Sequence, residues 1–149
     1  MSFEVAKEKA FRYVALSKKT AFEVRKKLQK SGFDDEIIEK VISYMQNLKY
    51  IDDVEYVDAY IRQCMRLQNY SIFEIKNKLM QKGIDKYLLE EKLEELSNTD
   101  YEKKLAHKLL STKLKQMEPL KKKQYLYRRG FKNLGSLVDF ENEDVDYYE

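Results

Sequence analysis

His107 and Cys64 are the only histidine and the only cysteine in this 149-residue chain, and neither stands where catalysis would need it. His107 lies between Lys104 and Lys108 on a positively charged stretch with no second histidine and no cysteine nearby in sequence. A surface or partly buried imidazole is expected there rather than a general base. Cys64 falls in helical register with an apolar position of an earlier segment, which makes it a small core filler rather than a nucleophile. One cysteine closes no intramolecular disulfide, and one cysteine with one histidine leaves a zinc ion short of ligands. The adjacent carboxylates Asp52 and Asp53 form a poor cage for a hard cation without further oxygens. They precede a helical stretch, where an N-cap and a partner for the helix dipole are wanted. Neither G-x-G-x-x-G nor G-x-x-x-x-G-K-[ST] occurs, so those phosphate-cradling loops are excluded. No catalytic residue, metal ligand or cofactor is expected, and the chain reads as a binding protein rather than an enzyme.

Binding chemistry is better represented, as two clusters of cations. The first comprises Lys18, Lys19, Arg25, Lys26, Lys27 and Lys30. The second comprises Lys103, Lys104, Lys108, Lys113, Lys115, Lys121, Lys122, Lys123, Arg128, Arg129 and Lys132, with Tyr125 and Tyr127 among the charges. Net charge is only +3, but its distribution is polarised. Lys plus Arg against Asp plus Glu runs 11 to 7 over residues 1–51, 7 to 11 over 52–100, 11 to 2 over 101–132 and 0 to 6 over 133–149. Such a local excess is a footprint for a polyanion or an acidic protein face. The expected contacts are Arg25, Lys26, Lys121, Lys122, Lys123, Arg128 and Arg129. A charge run is often only a solvated helix face, and that reading weighs more on the first cluster, where acids are close, than on the second.

Helices must position these residues. Four glycines and one proline leave little turn chemistry for a sheet. The segment Thr20 to Phe33 aligns without gaps on Ser71 to Ile84, five of fourteen positions being identical. A weaker third copy runs from Glu118 to Phe131. Thr20 with Glu23 and Ser71 with Glu74 are capping boxes. Ala21, Val24 and Leu28, like Ile72, Ile75 and Leu79, make one apolar stripe at helical spacing. Gly32, Gly83 and Gly130 stand where a left-handed residue ends each helix. Asp34 and Asp85 then start second helices with apolar stripes Ile37, Ile38, Val41, Ile42, Met45 and Leu88, Leu89, Leu93, Leu96. Longer helices precede the boxes, over roughly residues 4–16 and 53–68, where Phe3, Ala6, Ala10 and Tyr13 map onto Val54, Val57, Ile61 and Cys64. A third unit is expected to open on a Thr99–Glu102 capping box and to turn Ala106, Leu109, Leu110, Leu114 and Met117 inward. Its ending is less regular: Lys122 replaces an apolar stripe residue and Gly135 interrupts the last helix. The domain reading is therefore 1–51 and 52–98 as three-helix repeats, 99–140 as a degenerate basic repeat, and 141–149 as an acidic tail. The start of the chain lacks the apolar stretch of a signal peptide, and no run approaches a membrane span. A cytoplasmic protein with no membrane contact is expected, and no heptad seam suggests a dimer.

The string YIDDVEYVDAYIR (Tyr50 to Arg62), with KKLQKSGFDDEIIEKVI and KNKLMQKGIDKYLLEEKLEEL, resembles the RecX family of regulators of the RecA recombinase. The resemblance runs from about residue 5 to residue 131 and ends on Arg128-Arg129-Gly130-Phe131. It implies an all-α fold of three tandem three-helix, helix-turn-helix-like repeats in an elongated, curved arrangement. It also implies a regulator, not an enzyme, that lies in the groove of the RecA filament on single-stranded DNA. Such a protein depresses ATP hydrolysis, filament extension and strand exchange, and so modulates recombination, DNA repair and the SOS response. The signature positions carried over are Tyr50, Asp52, Asp53, Tyr56, Tyr60 and Arg62 with Gly32, Gly83 and Gly130, most of them assigned to folding on physical grounds. Where the family often has glycine and proline before its second capping box, this chain has Gln68, Asn69 and Tyr70, and Asn69 is expected to take the left-handed turn. The alternative function is direct DNA binding through helix-turn-helix modules. Against it, DDEIIEKVISYM and DKYLLEEKLEEL, the helices that would enter a major groove, are acidic.

Overall fold

A computed structural model describes residues 2–132. Eight helices occur among them: α1 (Phe3–Leu16), α2 (Ala21–Lys30), α3 (Asp35–Asn47), α4 (Asp53–Leu67), α5 (Ile72–Gln81), α6 (Lys86–Ser97), α7 (Tyr101–Ser111) and α8 (Pro119–Arg128). The expected residues 133–140 of the third repeat and the acidic tail lie outside the described residues.

Side chains set the helix starts. Ser2 accepts from the Val5 N–H and Asp34 from the Ile37 N–H. Thr20 and Ser71 form full capping boxes, each hydroxyl accepting from the glutamate's N–H and each glutamate accepting from the cap's own N–H. A cap of this kind is worth about 1 kcal/mol. Glycines end three helices, with φ of 89° at Gly32, 75° at Gly83 and 85° at Gly130. Beyond each, an apolar residue donates its N–H back to the helix: Phe33 to Leu28, Ile84 to Leu79, Phe131 to Leu126. Phe33, Ile84 and Phe131 are all buried, so the turn and the core contact that follows it are one device.

The chain forms two compact units. The first is Met1–Tyr60 with Leu79–Leu89, and the second is Ile61–Lys78 with the chain from Glu90 onward. Helices α4, α5 and α6 contribute residues to both. In the first unit α1, α2 and α3 pack on one another around Ala6, Ala10, Val24, Leu28, Ile38, Val41 and Met45. The two alanines matter here, because a small side chain lets helix backbones approach closely. In the second unit Cys64, Ile75, Leu93, Leu96, Tyr101, Leu105, Leu110, Leu114 and Leu126 are buried.

Three expectations are corrected. Thr99 and Glu102 form no capping box: Asp100 is the N-cap of α7 without a side-chain cap bond, the Thr99 hydroxyl donates to the Leu96 carbonyl, and Glu102 accepts from elsewhere. Helix α7 stops at Ser111, so Met117 lies beyond it and is exposed, while Leu105 joins the core unforeseen. The left-handed residue before the second box is Gln68, at φ 48°, not Asn69.

Candidate partner-binding surface

Three of the signature residues, Asp53, Gly83 and Gly130, belong to a junction that the chain builds twice. In the first unit the Thr20 hydroxyl donates to the Lys82 carbonyl at 2.6 Å. The Ala21 N–H, first in α2, donates to the Asp53 carboxylate at 2.9 Å. Lys82 reaches Glu23 at 3.5 Å, and Phe22 lies on Gly83, where a Cβ would come within 2.1 Å of the ring's Cγ. In the second unit the Ser71 hydroxyl donates to the Arg129 carbonyl at 2.5 Å and the Ile72 N–H to Glu102 at 3.1 Å. Arg129 donates to Glu74 at 3.1 and 2.8 Å, and Phe73 lies on Gly130. Each capping hydroxyl thus accepts within its own helix start and donates to a neighbouring helix end, leaving neither group unmatched.

Asp53 therefore does not cap its own helix. Asp52 does, accepting from the Glu55 N–H, while Asp53 accepts from the Ala21 N–H at the buried start of α2. Burial pushes the Asp53 carboxyl above its ordinary value, and the Ala21 N–H opposes that rise. Tyr56 is half-buried beside this junction, and burial raises its phenol, with the Glu23 charge adding to the shift. Tyr50 meets Phe11 edge-on at 4.9 Å. Along α4, Tyr60 is half-buried and Arg62 is exposed. Cys64 is buried, and burial lifts its thiol to about 11.

The cations separate into engaged and outward groups. Arg25 makes a two-pronged bond to Glu39, at 3.0 and 2.8 Å. Lys26 is exposed and stands 4.9 Å from the centre of the Phe22 ring. Arg129 also donates to the Asn69 carbonyl at 2.8 Å. Its guanidinium stands 5.9 Å from the centre of Tyr125, whose hydroxyl accepts from Lys113 at 2.9 Å. The Lys113 bond holds the Tyr125 phenol below its ordinary value despite burial, with Arg129 helping. Arg129 is thus engaged within the chain. Lys122 is half-buried, whereas Lys121, Lys123 and Arg128 are exposed on α8. With them stand Leu120 and Tyr127, 66% and 74% exposed. Leu120, Lys123, Gln124, Tyr127 and Arg128 line a shallow depression of about 420 Å³. Two large apolar side chains flanked by cations form a face that combines charge attraction with desolvation on contact. His107 is half-buried on α7.

Sequence reasoning missed the junction acceptors, but a signal was present. Phe22 and Phe73 lie off the apolar stripes of their helices yet recur at the same repeat position. An aromatic that repeats away from the helix's own core face is explained by a contact to another repeat.

Residues 6–45 match the family model for the first three-helix domain of RecX, and residues 52–93 match that for the second. The chain belongs to the RecX family. Its RecX relatives include the regulatory protein RecX of Prosthecochloris aestuarii, 30% identical over 135 residues and covering 85% of each chain. That of Finegoldia magna is 36% identical over 102 residues, 68% of this chain and 50% of the relative. That of Streptococcus mutans is 28% identical over 148 residues, 97% of this chain and 57% of the relative. The matched region thus spans about half the length of these last two. The crystal structure of RecX from Lactobacillus salivarius superposes with a TM-score of 0.77 at 25% identity, covering 97% of both chains. These relatives are named regulatory proteins. Among the described residues no helix is long and apolar enough to cross a membrane.

Proposed function

We propose that this protein binds RecA nucleoprotein filaments on single-stranded DNA and depresses their ATP hydrolysis, extension and strand exchange, modulating DNA repair and the SOS response in the cytoplasm. The observation that carries this reading is membership of the RecX family across both three-helix domains. The chain works as three repeats, 1–51, 52–98 and 99–140, with the acidic tail 141–149 following. Repetition suits a helical polymer, because modules of one kind at fixed spacing meet subunits of one kind, and weak contacts sum to avidity.

The contacts are assigned by engagement. Lys121, Lys123 and Arg128 on α8, with Lys26 on α2, are exposed and supply the electrostatic part. Lys122 lies at their edge. Arg25 and Arg129 act chiefly by holding Glu39 and Glu74. The decisive experiment titrates the protein into the cognate recombinase on single-stranded DNA and follows ATP hydrolysis. A saturable fall in rate that weakens with salt is expected, and an unchanged rate at saturating ratio defeats the reading.

A further inference from the structure

Helix α8 sets its open side chains along one stripe. Leu120, Lys123, Gln124, Tyr127 and Arg128, which line the same depression, follow at the i, i+3, i+4, i+7, i+8 spacing of a single helix face. Leu120 is 66% and Tyr127 74% exposed, with Lys121, Lys123 and Arg128 exposed on the same helix. Water-facing apolar groups set among cations match an occupant that brings both apolar side chains and carboxylates. Single-stranded nucleic acid fits less well, because Leu120 offers a base no aromatic face to stack on.

The chain itself carries a segment of the matching chemistry. Residues 139–149, DFENEDVDYYE, hold six acids and no lysine or arginine, together with Phe140, Val145, Tyr147 and Tyr148. They lie outside the described residues, and residues 133–138 join them to Lys132, four positions past Arg128. Six residues reach at most about 20 Å, whereas Leu120 to Arg128 is about 12 Å along a helix. The tether is therefore long enough to lay the segment on the stripe, and one so short holds its carboxylates there at an effective concentration on the order of millimolar.

The first unit makes the same kind of pairing between described residues. Lys123 aligns with Arg25 when Glu118 to Phe131 is set on Thr20 to Phe33. Arg25 takes its carboxylate, Glu39, from the chain just beyond the glycine turn at Gly32. Glu39 stands seven residues past Gly32, and Asp139 stands nine past Gly130.

We propose that residues 139–149 bind back onto the outer stripe of α8, their carboxylates meeting Lys121, Lys123 and Arg128 and their aromatic residues covering Leu120 and Tyr127. A polyanion drawn to α8 must then displace them. The inference stands apart from the recombinase reading, since it concerns contacts within one chain.

The test uses the full chain with no other macromolecule present. The sequence has no tryptophan, so Tyr148→Trp places a single fluorescent reporter in the acidic segment. Acrylamide, an uncharged quencher, is titrated in about 20 mM salt and again in about 1 M, where the screening length falls to about 3 Å. In low salt, quenching is expected to be at least about twofold weaker than in the same chain carrying K121Q, K123Q and R128Q, and in high salt the two are expected to coincide. The three substituted side chains are exposed, so losing their charge leaves the fold in place. L120A, which keeps every charge, is expected to weaken the protection in low salt. Equal quenching with and without the cations overturns the proposal, as does a difference that persists in high salt or protection that L120A leaves unchanged. Protection that grows with protein concentration assigns the acids to a second copy and overturns it too.

Discussion

Phe22 lies so closely on Gly83 that a methyl group on the glycine would stand 2.1 Å from ring carbon Cγ and 2.2 Å from Cβ. The glycine is also held at φ 75°, a conformation that disfavours any side chain. Gly83→Ala therefore meets both a steric and a backbone penalty and is expected to cost at least about 2 kcal/mol. Phe22→Ala removes the obstacle but loses the contact. Urea unfolding of the two single variants and the double is expected to give a cost for the double below the sum of the singles, with coupling of about 1 kcal/mol or more. Additive costs would mean that ring and glycine do not press on each other.

The neighbouring carboxylates Asp52 and Asp53 are expected to respond differently to substitution. Asp52 accepts the Glu55 N–H and caps α4, so Asp52→Ala costs about 1 kcal/mol. Asp53 accepts the Ala21 N–H at the start of α2, and Asp53→Asn keeps an acceptor oxygen there while Asp53→Ala does not. Because burial raises the folded-state value of Asp53, the folded chain holds that proton more tightly than the unfolded chain. This contribution favours folding at low pH and is lost as pH rises from the ordinary 3.8 through the raised value. Asp53→Asn is expected to remove that component from a series of urea midpoints taken between about pH 3 and 6. An unaltered profile would place Asp53 in water.

Local rules made much of this fold legible. Capping boxes, apolar stripes and glycine ends each depend on residues within one turn, and at Thr20, Ser71, Gly32, Gly83 and Gly130 the structure has the expected device. Failures came where a distant group competes for the same side chain. Glu102 follows Thr99 at capping-box spacing, yet its oxygens accept from the N–H groups of Ile72 and Lys132, each 30 residues away. Arg129 sits in a run of cations, but Glu74 and the Asn69 carbonyl, 55 and 60 residues distant, take up its guanidinium. Charge count predicts a basic surface and cannot say which cation turns inward. At the end of α4 it is Gln68 that takes the left-handed conformation, while the adjacent Asn69 carbonyl accepts from Arg129, 60 residues away.

Cys64 offers a direct check on its assignment as core filler. Buried on α4, with burial lifting the thiol to about 11, it holds almost no thiolate near neutrality, and the thiolate is the reacting species. A disulfide reagent added near pH 8 is expected to label the unfolded chain in urea at least about a hundredfold faster than the folded chain. Comparable rates would identify an accessible, reactive thiol instead.

Arg128 and Arg129 are adjacent in sequence, and their substitution separates binding from folding. Arg128 is exposed on α8, so Arg128→Gln is expected to change stability by no more than about 0.5 kcal/mol. If it contacts the filament, the same change weakens co-sedimentation with recombinase filaments and flattens its dependence on salt. Arg129 and Glu74 are only 19% and 29% exposed, so Arg129→Gln leaves a partly desolvated carboxylate short of its partner and is expected to cost about 1–3 kcal/mol. Burial alone would raise the Glu74 carboxyl, but hydrogen bonds from Arg129 and Ser71 outweigh it and hold the value below 4.5. The pair's contribution is therefore complete above that ordinary value and is lost as pH falls through the depressed one. Arg129→Gln should reduce this loss, Ser71 still donating to Glu74, so that the variant and the unaltered chain draw together in stability under acid and diverge toward neutrality. A constant difference across the acid range, or an Arg128→Gln variant that unfolds as readily as Arg129→Gln, would contradict the division of labour between the two arginines.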